Sequence, residues 1–594
     1  MKKFKKLFAV ILSLAMVLGM SLTAFATEPK IPTKDNPVAA TGKKGDKATI
    51  SVGGLSTDNK DSGIEAYAYP IIVAKYQGNS EEGAFTGYDV VYKDVSPIIT
   101  LPEVKAGVME KVNITQKHLT AIMDKINTDG SIQGTKMNIS NGVATAEVPV
   151  GSYLIVIKGA ETKVYSPVVA SLYYVNSNGT NAMAGEPIAN IAADQAWVKV
   201  TDTPKVNKFI VENNEDKKGN TVKIGDEIDY KVEVGPIPYY GGSNPILNLV
   251  DTMDVGLDRV TKLEDVNVSI SNGLTTVKKL VKDTDYTIQE TENNPRKITI
   301  NFVVAGYKAA HPNDKDVLSD YTLNEFASNP SNKIVVTYKA KVNNDATINQ
   351  TANKNDVVLN FTKDSKLSGD DVKDNDEDIV YSYTFDIDGG IEGSITDRVI
   401  NKRGETVDET TENTGKAGLD GAEFGLYTDQ ACKTLYTNSW KDKDGNEQTF
   451  GGIVTTANGG QMHIKGLDEG TYYLQERKAP GSYSVNTNVY KIVIEATYVT
   501  STDKKVAGQI QSWTIKIDNV TVATETGKTS TFTVNQGNIV ENTTVVNGTD
   551  IQNTKLSSLP STGGIGTTIF TIGGCAIMII AAALFFASRR KSAK

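Results

Sequence analysis

The stretch KIVVTYKAKV, residues 333–342, alternates apolar and polar side chains along nearly its whole length. Its apolar set is Ile334, Val336, Tyr338, Ala340 and Val342. Successive side chains of a β-strand point to opposite faces, so this pattern predicts a strand with one buried face. The stretch EIDYKVEV, residues 227–234, repeats the pattern. We therefore predict an all-β region over residues 205–365.

The composition of the whole chain agrees with this prediction. The 594 residues include 25 tyrosines and 51 glycines, which favour strands and turns. The length suggests three to five domains at ~150 residues each. The net charge of −9 argues against a nucleic-acid-binding protein, because phosphate binding needs a basic surface. We expect all-β architecture, with immunoglobulin-like or prealbumin-like sandwiches in tandem.

Two further regions flank the middle one. Residues 27–201 form a predicted N-terminal domain with strand signals and one helix at residues 115–126. The apolar residues of that helix share one face: Leu119, Ile122, Met123 and Ile126. Residues 379–553 form a predicted third domain that is rich in strands.

An acidic stretch, SGDDVKDNDED at residues 368–378, separates the second and third regions. Asp374, Asp376 and Asp378 match the start of an EF-hand loop, but Ile379 takes the glycine position and no glutamate closes the loop. We expect a solvated linker without calcium. The three histidines are scattered, so the sequence predicts no metal site and no cofactor.

Both ends of the chain carry targeting signals. Residues 1–26 combine four lysines, an apolar run and the Ala24–Ala26 cleavage pattern, which is typical of a secretory signal peptide. Residues 565–587 are long and apolar enough to cross a membrane, and the basic tail at 588–594 fits its cytoplasmic side. Outside this span the exported chain has one cysteine, Cys432, so an intrachain disulfide cannot form there.

The sequence LPSTGG precedes the C-terminal apolar run. With that run and the basic tail, it resembles the cell-wall sorting signal of Gram-positive surface proteins. The resemblance implies that a sortase cleaves after Thr562, holds its carbonyl as a thioester, and transfers it to an amine. The sorting motif comprises Leu559, Pro560, Ser561, Thr562 and Gly563.

The third region carries the stretch YYLQERKAPGSY, residues 472–483, after GAEFGLY at 421–427. Strand alternation places Glu476 on the apolar face of Tyr472 and Leu474, where burial of a lone carboxylate is costly. An edge position that lets Glu476 reach water is the alternative. The stretch resembles the E-box of Gram-positive pilins, and the region resembles a collagen-adhesin B-type domain.

The middle region resembles the fimbrial isopeptide-forming domain. The resemblance rests on IGDEIDY, DTMDVGL, DYTI, VTYKAKVN and NKNDVVLNF, which follow one another in that order. It implies a spontaneous amide bond between a lysine and an asparagine, assisted by a carboxylic acid. Strand parity favours Lys208 and Asn355 as the pair, and the resemblance implies that Asp251, which opens DTM, is the acid. Asn353 remains in reserve because it shares the parity of Asn355.

In the third region the resemblance implies a bond to Asn553 with Glu476 as the acid. The lysine is not fixed by the sequence. The expected strand, YTFDIDGGIEG at residues 383–393, contains none. Lys402 and Lys416 are both candidates.

The resemblance also implies a linking lysine at the end of the N-terminal domain. Trp197, Val198, Val200, Pro204 and Lys205 resemble the family's linking motif, although its tyrosine is replaced here by threonine. The chain is therefore predicted to be a pilus shaft subunit and not an enzyme, joined from Thr562 of one copy to Lys205 of the next.

The implied partners are identical subunits, a class C pilus sortase, a housekeeping sortase and peptidoglycan, with minor pilins and host ligands as further candidates. The expected location is the cell wall and its surface pilus. A wall-anchored adhesin or minor pilin is the alternative function. A secreted enzyme is a third hypothesis, for which the sequence offers no readable active site.

Overall fold

A computed structural model describes residues 31–591, apart from 102–111, 183–184, 195, 241–244, 312–319, 350, 365–372, 389–399, 405–417, 442–445, 519, 526–543, 546–548, 555 and 557–564. The predicted signal peptide and the LPSTGG motif, with Thr562, lie outside the described residues. The described strands pair within three consecutive parts of the chain, called here the first, middle and third units.

The first unit spans residues 31–202 and packs a helix against a sheet. Its larger sheet has the order β1-β11-β10-β8-β3-β4, with β5 on β3; a second has the order β12-β2-β7-β6, and β13 pairs with β9. The strands are β1 Val38–Ala39, β2 Lys47–Gly53, β3 Glu65–Tyr76, β4 Phe85–Val90, β5 Thr135–Lys136, β6 Asn138–Ser140, β7 Val143–Pro149, β8 Gly151–Lys158, β9 Lys163–Tyr165, β10 Val168–Asn176, β11 Ile188–Asp194, β12 Ala196–Trp197 and β13 Val200–Asp202.

The helix predicted at residues 115–126 is confirmed, as α1, over Gln116–Thr128. The backbone N–H of Thr115 donates to Nδ1 of His118 (2.9 Å) where the helix begins. The apolar face forms a small core against the larger sheet with Ile72 and Leu154. The predicted apolar positions Leu119, Ile122, Met123 and Ile126 are all buried.

The middle unit spans residues 205–383 and is a sandwich of two sheets. One has the order β15-β14-β17-β24-β20-β21, with β19 on β24, and the other β16-β26-β25-β18-β23-β22. The strands are β14 Lys205–Glu212, β15 Glu215–Lys217, β16 Gly219–Thr221, β17 Glu227–Gly235, β18 Leu247–Met253, β19 Leu257–Arg259, β20 Asn267–Ser271, β21 Thr276–Lys279, β22 Thr287–Thr291, β23 Asn294–Asn301, β24 Lys333–Val342, β25 Asn353–Thr362 and β26 Lys373–Tyr383.

The alternating stretch at residues 333–342 is strand β24, as predicted. Its five alternating apolar residues are all buried, and they face the second sheet of the sandwich. Short helical segments lie in the connections of this unit and the first: α2 at Tyr307–Ala310, and 3₁₀ turns at Asn59–Asp61, Leu263–Asp265 and Thr322–Phe326.

The acidic stretch was wrongly predicted to be a solvated linker. Its second half belongs to β26, which pairs antiparallel with β25 from Asn353–Ser382 to Thr362–Lys373. Asp378 is buried because it accepts hydrogen bonds from the backbone N–H of Lys208 (2.6 Å) and from the Lys218 ammonium. The third unit therefore begins after Tyr383 instead of at Ile379.

The third unit spans residues 385–553. Its largest sheet has the order β32-β29-β34-β35-β36-β37-β38, and three strand pairs accompany it, β27-β33, β28-β39 and β30-β31. The strands are β27 Phe385–Asp388, β28 Ile400–Gly404, β29 Glu423–Tyr427, β30 Asn438–Lys441, β31 Glu447–Phe450, β32 Ile453–Thr455, β33 His463–Leu467, β34 Gly470–Lys478, β35 Val489–Tyr498, β36 Ile510–Ile517, β37 Val520–Glu525, β38 Thr544–Val545 and β39 Thr549–Asn553.

The passage from the middle to the third unit is short and buried. Thr384 alone separates β26 from β27, and its carbonyl accepts a hydrogen bond from the backbone N–H of Asn349 (2.8 Å). The hydroxyl of Tyr383 accepts from the backbone N–H of Ile510 (2.8 Å), which lies in the third unit. Both sides of the junction are thus tied by hydrogen bonds as well as by the chain.

A lysine of the third unit also reaches the first strand of the middle unit. Lys504 Nζ donates to the carbonyl of Val206 (2.6 Å) and to the Asp376 carboxylate (2.7 Å). Asp376 in turn accepts from the backbone N–H of Val206 (2.8 Å). These bonds hold the strand that carries Lys205 and Lys208 against the third unit.

A long apolar helix, α3 at Ile565–Lys591, ends the described chain. Residues Ile569–Arg589 are long and apolar enough to span a membrane, and they are not covered by other parts of the molecule. This agrees with the membrane span predicted at residues 565–587. Cys432 and Cys575 are both free thiols.

We expect Ile50→Ala to lower the free energy of unfolding of the first unit by about 2–5 kcal/mol, because a buried isoleucine leaves a cavity. Ile50 is 1% exposed in β2. The matched control is Ile139→Ala in β6 of the same sheet, which is 37% exposed and should cost much less. Denaturant titration of the two variants makes the comparison, and equal losses would contradict this account of the core.

Candidate functional site

The middle unit brings a lysine from one sheet against polar residues of the other. Lys208 lies on β14 with its side chain between those of Val206 and Ile210, on the buried face of the strand. Asp251 lies on β18 and Asn355 on β25, which are neighbours in the second sheet. Lys208 and Asn355, which strand parity favours, therefore meet Asp251, the acid that the resemblance implies, in the core between the two sheets.

The contacts among these three residues are direct. Lys208 Nζ lies 2.5 Å from Asp251 Oδ2 and 2.5 Å from Asn355 Oδ1. The side chain of Lys208 is fully buried, and that of Asp251 is 5% exposed. A lysine amine, a carboxamide and a carboxyl group are thus in contact where water does not reach them.

Tyr338 completes this site, and sequence reasoning gave it only a core role. Its hydroxyl donates to the Asp251 carboxylate, lying 2.8 Å from Oδ1 and 2.9 Å from Oδ2. The same hydroxyl accepts from Asn355 Nδ2 (2.8 Å). Strand parity could have pointed to Tyr338 as a site residue, because it lies on the buried face of the strand predicted at residues 333–342.

Burial decides the protonation tendencies at this site. Desolvation lowers the pKa of Lys208 despite its contact with Asp251, because charge on a buried amine is disfavoured. Desolvation also raises the pKa values of Tyr338 and Tyr230, so both phenols stay protonated. Lys208 is therefore biased toward the neutral amine, which is the nucleophilic form.

Asn353, held in reserve from the sequence, lies apart from the lysine. Its Nδ2 donates to the carbonyl of Thr347 (3.1 Å), and its Oδ1 accepts from the backbone N–H of Thr347 (2.9 Å). Asn353 closes a local turn at the start of β25. Of the two asparagines with the same parity, Asn355 is the one that contacts Lys208.

The third unit contains a second lysine–asparagine contact. Lys402 donates from Nζ to Asn553 Oδ1, and the two residues lie on the paired parallel strands β28 and β39. Glu476 on β34 accepts from Asn553 Nδ2 (2.8 Å) and lies 3.3 Å from Lys402 Nζ. Burial lowers the pKa of Lys402.

Glu476 is buried, so the alternative of an edge position open to water is wrong. Its second oxygen accepts from the backbone N–H of Asn486 (2.7 Å), which satisfies the carboxyl group inside the unit. Of the two candidate lysines, Lys402 contacts Asn553, whereas Lys416 lies outside the described residues. Lys402 lies two residues after the buried Ile400 and therefore on the same face of the strand. This alternation could have favoured Lys402 over Lys416 from the sequence.

Lys205 occupies a different environment from Lys208. The two residues are three apart on β14, so they face opposite sides of the strand. The side chain of Lys205 is 57% exposed, and its Nζ lies 3.9 Å from Asp376 Oδ1. The amine predicted to link subunits is thus reachable from solvent, and its predicted partner Thr562 is not among the described residues.

Comparison with known proteins identifies two parts of the chain. Residues 406–506 match the SpaA family, described as a prealbumin-like fold domain. Residues 551–594 match the LPXTG cell wall anchor motif of Gram-positive proteins. These matches agree with the predicted fold class and with the sorting signal read at residues 559–563.

The chain is 25% identical over 535 residues to the trypsin-resistant surface T6 protein of Streptococcus pyogenes serotype M6, covering 80% of this chain and 86% of that protein. The solved T6 backbone pilin of serotype M6 Streptococcus pyogenes is 18% identical, with a TM-score of 0.48, over 86% of this chain and 99% of that one. The major pilin subunit BcpA of Bacillus cereus is 13% identical, with a TM-score of 0.36, over 77% and 97%.

The anchor motif, the prealbumin-like domain and the T6 relative agree with the motifs along the sequence. The chain is therefore a cell-wall-anchored surface protein that resembles the sortase-assembled major pilins.

Proposed function

We propose that this chain is a pilus shaft subunit whose two buried lysine–asparagine contacts close into amide bonds. The contact of Lys208 with both Asn355 and Asp251 in the core carries the proposal. A charged lysine in such a place is costly, and a covalent product removes that cost. The arrangement of Lys402, Asn553 and Glu476 supports the same reaction in the third unit.

In the middle unit the reaction begins with proton transfer from the Lys208 ammonium to the Asp251 carboxylate. The neutral amine then attacks Cγ of Asn355, and ammonia leaves as the new amide forms. Because the fold already holds the Lys208 amine against Asn355, the reaction needs no further loss of entropy to orient the two groups. The reaction occurs once on the chain's own residues, so we assign a structural role without turnover of a separate substrate.

Polymerisation uses a different pair of residues. A class C pilus sortase would hold the Thr562 carbonyl as a thioester, and the Lys205 amine of the next subunit would resolve it. The donor carbonyl and the acceptor amine belong to different residues of each subunit, so each addition leaves a new free end and the assembly propagates. A housekeeping sortase would then join the finished fibre to peptidoglycan.

Tension on such a fibre would enter at Lys205 and leave at Thr562. The load would pass through the middle and third units, which hold the two lysine–asparagine contacts, and would largely bypass the first unit. The first unit is then available for contacts with minor pilins or host ligands. Cys432 and Cys575 are free thiols and form no disulfide. The amide crosslinks would supply the covalent stabilisation that disulfides give to other exported proteins.

The internal bonds predict an intact mass that is two ammonia molecules below the sequence mass of the exported chain. Asn355→Ala and Asn553→Ala should each restore one ammonia, because each removes one reacting carboxamide. Asn353→Ala is the matched control, since this buried asparagine lies two residues from Asn355 and should leave both losses intact. A wild-type mass equal to the sequence value would refute the crosslinks.

The intersubunit bond predicts that Lys205→Ala abolishes the ladder of covalent polymers in extracts of the cell wall. Lys199→Ala is the matched control, because Lys199 is also exposed near the end of the first unit. We expect the control to polymerise normally, as judged by immunoblot. A persistent ladder in the Lys205 variant would reject this residue as the acceptor, whereas monomers alone in the wild type would favour the wall-anchored adhesin.

The lowered pKa of Lys208 predicts a pH dependence in Asn355→Ala, where the amine stays free. A lysine with a lowered pKa binds fewer protons in the folded state than in the unfolded chain. Its contribution to the free energy of unfolding should therefore rise with pH, up to the ordinary lysine value of 10.5. Denaturant titrations against the double variant Lys208→Met/Asn355→Ala isolate this contribution, and parallel curves would contradict it.

A further inference from the structure

The two lysine–asparagine sites present their acids to the asparagine in different ways. In the third unit, the leaving nitrogen Asn553 Nδ2 donates directly to Glu476 Oε1 (2.8 Å). In the middle unit, the corresponding nitrogen Asn355 Nδ2 donates to the hydroxyl of Tyr338 (2.8 Å). That hydroxyl in turn donates to the carboxylate of Asp251.

Tyr338 thus stands between the acid and the nitrogen that must leave as ammonia. We propose that the Tyr338 hydroxyl relays the proton from Asp251 to Asn355 Nδ2, and is a catalytic residue of amide formation in the middle unit. This inference rests on the proposed lysine–asparagine crosslink. It adds a fourth reacting group to the middle-unit site. The third unit needs no such group, because Asn553 there contacts its acid, Glu476, directly.

The proton transfers balance along this route. Lys208 gives one proton to Asp251, and its neutral nitrogen bonds to Cγ of Asn355 as the C=O π electrons move to Oδ1. Tyr338 passes its hydroxyl proton to Nδ2 and takes the proton of Asp251, after which the C–Nδ2 bond breaks and neutral ammonia leaves. The C=O bond re-forms, and the extra proton on the new amide nitrogen returns to the Asp251 carboxylate.

The surroundings of Tyr338 suit a relay. The residue is 4% exposed on β24, and its ring lies 5.4 Å from that of Tyr230 on the paired strand β17. Burial raises the pKa of Tyr338, so the hydroxyl holds the proton that it must pass on. Because the Tyr338 oxygen gives one proton to Asn355 and receives one from Asp251, the phenol undergoes no net ionisation.

The test compares Tyr338→Phe with Tyr230→Phe in the full exported chain. Both variants remove the hydroxyl of a buried tyrosine whose ring centre lies 5.7 Å from Lys208 Nζ. Of the two hydroxyls, that of Tyr338 bonds to Asp251, whereas no hydrogen bond joins the Tyr230 hydroxyl to Asp251 in the described part of the chain. Newly synthesised chain is sampled over time, and peptide mass mapping follows the Lys208–Asn355 and Lys402–Asn553 linkages separately. The third-unit linkage serves as an internal control for folding and time.

We expect Tyr338→Phe to slow the middle-unit linkage by about a hundredfold or more, the scale of a lost proton-transfer group. The third-unit linkage should form at the wild-type rate, and Tyr230→Phe should leave both rates near wild type. A crystal structure of the slowed variant should keep Lys208 in contact with Asn355.

Two results would overturn the relay. One is a middle-unit linkage in Tyr338→Phe that forms as fast as in Tyr230→Phe. The other is a slowed variant in which Asn355 has turned away from Lys208, because the tyrosine would then only position the asparagine. A wild-type chain without the middle-unit linkage would instead overturn the proposed crosslink itself, so the two failures are distinguishable.

Discussion

The burial of the Lys208 amine between two sheets is the constraint on which the middle unit depends. An isolated ammonium in a core is strongly disfavoured, so the partners around it must be fixed in place. Asp251 and Asn355 come from adjacent strands of the facing sheet, and Tyr338 comes from the sheet of the lysine itself. The sandwich therefore closes around a polar cluster instead of an entirely apolar core.

The third unit brings the same three kinds of side chain, a lysine, an asparagine and a carboxylic acid, together in another geometry. There the lysine and the asparagine lie on neighbouring parallel strands, and Glu476 approaches from the large sheet. A bond in the middle unit would fasten two sheets face to face, whereas a bond in the third unit would fasten the last strand to its neighbour. The second bond would secure β39, the last described strand before the cell-wall anchor motif.

Strand parity favoured Lys208 and Asn355, because alternation reports which side chains share a buried face, but it could not separate Asn355 from Asn353. Asp251 came from the resemblance to the isopeptide-forming domain. Neither parity nor the resemblance located the strand at Ile400–Gly404, because the resemblance implies a lysine on the aromatic segment at residues 383–393, which has none. The acidic stretch was misassigned for a physical reason. Asp378 is buried because it satisfies a backbone amide and Lys218, and such distant partners cannot be read from local composition. Tyr338 was missed as part of the site because its hydroxyl bonds to Asp251 and Asn355, two residues on other strands whose approach cannot be inferred from the local pattern.

The nearly unbroken run from β26 into β27 has a consequence for the mechanics of a long fibre. With only buried Thr384 between the strands, and Lys504 bound to Val206 beside the junction, this joint has little freedom to act as a hinge. Curvature of a filament built from such subunits would concentrate at the remaining joints, next to the first unit and between successive copies. The spacing of those compliant points, one set per subunit, would then govern the filament's persistence length.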